Sequence, residues 1–88
     1  MTGISKQLGR FSETEIDDEI VVMHLDTGEF FSLAGTAAAT WRLIDGTRNR
    51  SALIAELASE FEADESEIAI DVDQFLERLR EVGLLASI

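Results

Sequence analysis

The chain contains no cysteine, which excludes disulfides, thiolate nucleophiles and cysteine metal sites outright. It contains no proline either, so a proline-rich linker is absent. A single histidine, His24, cannot supply the four Cys or His ligands of a structural zinc site. Hydrophobic residues make up 45% of the sequence but never form a long run, so a packed soluble core is expected and a membrane span is not. The opening MTGISKQLGRF lacks the apolar stretch of a secretory signal, which favours the cytoplasm. Basic residues are scarce: 7 Lys and Arg stand against 18 Asp and Glu, a formal net charge of −11. Such a field repels phosphate backbones, because duplex affinity depends on Lys and Arg neutralising phosphates. Acidity of this degree either serves solubility alone or favours a neutral or basic partner segment.

What is present reads as one domain over residues 1–88, with residues 1–7 loosely attached. A weak strand signal lies within 8–16. In 19–25, Ile20, Val22 and His24 alternate with Val21, Met23 and Leu25; apolar residues on both faces suit the middle strand of a small sheet. Asp26-Thr27-Gly28 has the composition of a tight turn, and 29–33 forms the returning strand. Phe30 and Phe31 are adjacent on that strand, so at least one ring points away from the packed face. A helix opens at Gly35-Thr36 and is expected to end at Gly46. Ser51 is the expected cap of a second helix carrying Leu53, Ile54, Leu57 and Phe61. Asp64 and Glu67 have capping-box spacing before a third helix striped by Ile68, Val72, Phe75, Leu76, Leu79 and Val82. Gly83 is its expected stop, after which Leu84, Leu85 and Ile88 can fold back on the core. The fold class is α+β, with two or three antiparallel strands followed by three helices.

Catalytic chemistry needs convergent groups, and few exist. His24, in an alternating strand, reads as a semi-buried or surface residue. The acidic run from Glu60 to Glu67 lacks the central Gly and the alternating Asp/Asn of a calcium loop, and suits a solvated helix start. No phosphate-cradling glycine loop and no nucleophile elbow is present. No catalytic residue, metal site or cofactor is therefore expected. The element order resembles that of winged-helix DNA binders. The third helix, however, offers Arg78 and Arg80 against five acids, and the cluster Arg42, Arg48, Arg50 is too small to offset the overall charge.

The run Val21 to Leu33, with its hydrophobic strand, Gly-ended turn and aromatic returning strand, resembles the hairpin of PqqD-like proteins. Ala37 to Gly46 with Trp41, Ser51 to Phe61, and Asp71 to Leu85 with Phe75-Leu76 and Gly83-Leu84-Leu85 are similar to the rest of that family's pattern, over roughly residues 15–86. The resemblance implies a RiPP recognition element, a non-catalytic adaptor for the leader of a ribosomally made precursor peptide. It implies a winged helix-turn-helix in which the leader adds beside the third strand and lies against the third helix. The modifying enzyme would be a radical-SAM protein, or a leader peptidase working beside a cyclase. Two departures stand out. Ala34 replaces the Asn frequent in the family, leaving the first cap to Gly35 or Thr36, and no flanking domain is seen, so the enzyme would be a separate protein.

On this reading the docking edge is Glu29, Phe30, Phe31, Ser32 and Leu33, whose backbone groups give register but little sequence information. Asp71, Gln74, Phe75 and Arg78, about one helical turn apart, supply the facing wall. Phe30 or Phe31 forms the other wall. Phe75 fits the core as well as the wall, and Arg78 fits solvent pairing as well as binding. Trp41 is expected in the core. The competing reading is a structural or regulatory subunit that self-associates through the same edge, so that the chain is a monomer or a dimer.

Overall fold

Strict alternation shapes the centre of the sheet. In Glu19–His24 (β3), Ile20, Val22 and His24 are buried on one face, while Val21 and Met23 are half-buried on the other. The computed structural model describes residues 3–87. Its elements in chain order are β1 (Ser5–Lys6), β2 (Phe11–Ile16), β3, β4 (Phe30–Leu33), α1 (Gly35–Leu43), α2 (Arg50–Phe61), α3 (Glu65–Glu81) and β5 (Leu85–Ser87). β2, β3 and β4 form an antiparallel sheet in that order, with β3 in the middle as its two apolar faces require. Gly28 turns the β3–β4 hairpin at φ +78°, a conformation open to Gly at little cost.

α1 packs on β3, and α2 and α3 pack on α1 and on each other, so that sheet and helices share one core. Trp41 of α1 is fully buried in it. Its indole N–H donates to Glu13 Oε2 at 3.2 Å, and Phe11 meets it edge-on at 5.1 Å. Ile20, Val22, Leu53, Leu57, Val72 and Leu84 complete the centre of the core. Phe61, placed by its spacing in the α2 stripe, remains 39% exposed at the helix end.

Residues 3–7 are not loosely attached. Ile4 is buried, β1 pairs antiparallel with β5, and the backbone of Gly3 and Ile4 bonds to Gly46 and Arg48. The approach is so close that a Cβ at Gly3 would lie 2.6 Å from Arg48 N and Gly46 O. Met1, Thr2 and Ile88 lie outside the described residues.

Four helix ends differ from expectation. α1 stops at Leu43 with Ile44 as its cap, because the chain turns extended there; Gly46 instead meets Ile4. The N-cap position of α1 is Ala34 itself, with no side-chain bond, so neither Gly35 nor Thr36 caps it. α2 is capped by Asn49, whose Oδ1 accepts from Ala52 N at 2.9 Å, and Ser51 lies inside the helix. Asp64 holds the N-cap position of α3 without the side-chain bond of a capping box; its backbone carbonyl accepts from Glu67 and Ile68. The other end of α3 is as expected. Gly83 N–H donates to Arg80 O and Leu84 N–H to Leu79 O, the paired bonds of a Schellman motif.

Candidate functional site

Register decides which groups β4 presents. His24 N–H donates to Glu29 O at 2.8 Å, and the pairing continues Met23–Phe30, Val22–Phe31, Val21–Ser32 and Ile20–Leu33. Antiparallel pairs alternate between bonded and non-bonded. Phe31 and Leu33 therefore bond back to β3, and Phe30 and Ser32 direct their N–H and C=O to the open edge. Among the described residues no strand pairs with β4 on that side. The docking edge expected from Glu29 to Leu33 is thus carried by alternate residues, and the Glu29 carbonyl is already engaged by His24.

The same register separates the two phenylalanines. Phe31 shares a face with Val22 and Leu33, is half-buried and packs on the core. Phe30 lies on the opposite face beside Met23 and is 68% exposed. Between β4 and α3 runs a cleft of ≈ 320 Å³, walled by Phe30, Phe31, Ser32 and Leu33 on one side and by Phe75 and Arg78 on the other. Val22, Leu79 and Leu84 also line it. A second recess of ≈ 390 Å³ shares Phe75 and Arg78 with the first and extends past Asp71 and Gln74 to Ala34 and Thr36. Eight of the nine residues expected at the site line these recesses, and Glu29 lines neither. The small α1 residues Ala37 and Thr40, which floor the second recess, were not expected there. Their signal was the small-residue run Gly35–Thr40, which lets α3 approach but leaves a shallow trough.

Phe75 is half-buried, so it serves core and cleft at once. Arg78 holds its guanidinium 5.8 Å from the centre of the Phe31 ring, a cation–π distance. The other five arginines each pair with a carboxylate: Arg10 with Asp26, Arg42 with Glu15, Arg48 with Asp45 and Glu56, Arg50 with Asp73, and Arg80 with Glu77. Arg42, Arg48 and Arg50 thus stitch elements together. Hydrogen bonding from Arg50 holds the Asp73 carboxyl below its usual range, and Asp73 in turn raises Arg50. Lys6 lies 4.3 Å over Trp41, and burial there lowers its pKa against the opposing pull of Glu13 and Asp45.

His24 is buried rather than semi-exposed. Nδ1 accepts from the Asp26 N–H at 3.2 Å, so Nε2 carries the proton and donates to Val82 O at 2.8 Å. Both ring nitrogens are committed to structure. Among the described residues no cluster of three His, Cys, Asp or Glu could hold a metal ion. No helix among them is long and apolar enough to cross a membrane.

An antiparallel three-stranded sheet, an open edge strand, three following helices and a cleft between that edge and the last helix define a small α+β peptide-sized binding fold of winged-helix type. The chain belongs to the family described as coenzyme PQQ synthesis protein D (PqqD), which matches residues 19–85. Among solved structures it is similar to one described as TbiB1 in complex with the TbiA(beta) leader peptide. That likeness has a TM-score of 0.82 and 27% identity, covering 98% of this chain and 96% of that one. A search of curated proteins gives no match.

Proposed function

We propose that this chain is a RiPP recognition element. It is a non-catalytic adaptor that binds the leader of a ribosomally made precursor by strand addition and presents it to a separate modifying enzyme. The observation that carries this reading is the open β4 edge running beside the α3 cleft, in a fold similar to a leader-bound relative. Phe30 and Ser32 offer backbone donors and acceptors to an extended peptide. Phe31, Leu33 and Phe75 receive its apolar side chains, and Asp71, Gln74 and Arg78 read its polar ones. Glu29 contributes charge at the turn end rather than a ladder bond. The enzyme served is a radical-SAM protein, or a leader peptidase acting beside a cyclase. The cytoplasm, where the precursor is made, is the place of action.

The test is a nitrogen–proton spectrum titrated with synthetic leaders made from whatever short open reading frames lie beside the gene for this chain. Saturable shifts at Phe30, Ser32, Phe75 and Arg78 are expected, with one peptide bound per chain. A constitutive dimer whose spectrum ignores the peptide would instead favour self-association through β4.

A further inference from the structure

Arg78 is unlike every other arginine in the chain. Five of the six are neutralised by carboxylates, in a protein with 18 acids to choose from. Among the described residues no carboxylate lies within ion-pair distance of Arg78, although Glu81 is placed one turn further along α3. The Arg78 guanidinium is instead held over the Phe31 ring at the wall of the cleft. A cation without an ion pair in such an acidic protein, at the border of an apolar cleft, is a charge with no carboxylate partner among the described residues. An aromatic face beneath it fixes its position without using its hydrogen-bonding donors. Those donors match a carboxylate in bidentate geometry.

We infer that the peptide bound along β4 carries an Asp or Glu whose carboxylate is read by Arg78, next to an apolar side chain seated on Phe31 and Phe75. This rests on the adaptor reading above and specifies the chemistry of the leader that fits. The field of a chain at −11 disfavours a generally acidic peptide. The required acid is therefore a single residue in register, within a segment otherwise neutral or basic. Asp71 stands seven residues before Arg78 on the same helix, about 10 Å away, at the far end of the second recess. No ion pair engages it, so a Lys or Arg of the peptide is favoured at that end. The opposed charges at the two ends give the bound strand a direction, which backbone pairing alone does not supply.

The probe is a displayed library of random decapeptides, selected in parallel on the wild-type chain, R78E and R78Q. Folding of each variant is checked by thermal unfolding. Wild type is expected to enrich Asp or Glu at one position beside an apolar anchor. R78E is expected to keep the anchor and exchange the acid for Lys or Arg, and R78Q to lose the charge preference. The consensus peptide synthesised singly should bind R78Q about tenfold more weakly than wild type. If all three chains enrich the same apolar anchor with no charge preference that follows residue 78, the acidic-residue inference is overturned and the adaptor reading stands. If no peptide is enriched on the folded wild-type chain, both are overturned.

Discussion

His24 Nε2 donates to the Val82 carbonyl at 2.8 Å, joining the middle strand of the sheet to the end of α3 across 58 residues of chain. The same ring accepts from Asp26 N–H at the start of the β3–β4 turn. One buried side chain thus fixes both the hairpin that carries the open edge and the helix that faces it. The spacing across the cleft depends on it.

His24→Ala removes both bonds, opens a void and leaves a carbonyl without its partner. The expected loss of stability is about 2–4 kcal/mol, read from urea unfolding. Peptide affinity should fall further than stability alone explains, because the β4–α3 spacing loosens. A loss under about 0.5 kcal/mol would show that the bond contributes nothing to the frame.

Much of this frame is legible in local pattern. Alternation of Ile20, Val22 and His24 specifies a two-faced strand, Gly28 specifies the turn, and the stripe from Ile68 to Leu79 with Gly83 after it specifies α3 and its end. What the pattern omits is non-local. The β1–β5 pairing involves two short strands from opposite ends of the chain and has no periodicity to betray it. His24 looks like any strand histidine until Val82 is placed beside it. Adjacent phenylalanines announce that one ring faces out, but only the pairing of Phe31 with Val22 says which. The site residues on α3 follow from helical spacing alone, whereas the α1 trough depends on how two helices cross.

Caps illustrate the same limit, since Asn49 and Ser51 are both good N-cap residues two positions apart. The structure chooses Asn49. Asn49→Ala should therefore cost about 1 kcal/mol, while Ser51→Ala, inside the helix and exposed, should change stability by less than about 0.5 kcal/mol. Paired urea unfolding curves measure both. Equal losses, or a larger one at Ser51, would reverse the assignment.

Acid sensitivity should be traceable to the Arg50–Asp73 pair, with bonds of 2.6 and 2.8 Å linking α2 to α3. Hydrogen bonding from Arg50 lowers the Asp73 pKa in the folded chain below its ordinary value of 3.8. The unfolded chain therefore takes up the proton first, and the contribution is present above the ordinary carboxylate range. It is lost as pH falls through the depressed folded value. Asp73→Asn should flatten the fall of Tm on the acid side while leaving its slope above pH about 6 unchanged. The pair is solvent-exposed, so the effect is small. An unchanged acid limb would remove the pair from the account.

The two phenylalanines should separate stability from binding. Phe31 packs on the core and walls the cleft, so Phe31→Ala should cost about 2 kcal/mol and weaken binding of the synthetic leader. Phe30 is largely exposed, and Phe30→Ala should change stability by less than about 0.5 kcal/mol. Its effect on the leader is confined to the rim. If Phe30→Ala unfolds the chain and Phe31→Ala leaves it stable, the face assignment drawn from register is wrong.

Strand addition itself is tested at Ser32. Its side chain is exposed, and the alternation of bonds points its N–H to the open edge rather than to β3. Proline is tolerated on an edge strand where the missing N–H faces outward, and the extended backbone it demands of Phe31 is the one a strand already has. Ser32→Pro should therefore fold with the β3–β4 ladder intact, shown by an unchanged unfolding cooperativity. It should lose a ladder bond to the leader and clash with an incoming strand, lowering affinity by more than about tenfold. Ser32→Ala keeps the N–H and should bind as wild type. A folded Ser32→Pro chain with undiminished leader affinity would mean that the peptide lies in the cleft without pairing to β4, held by side chains alone.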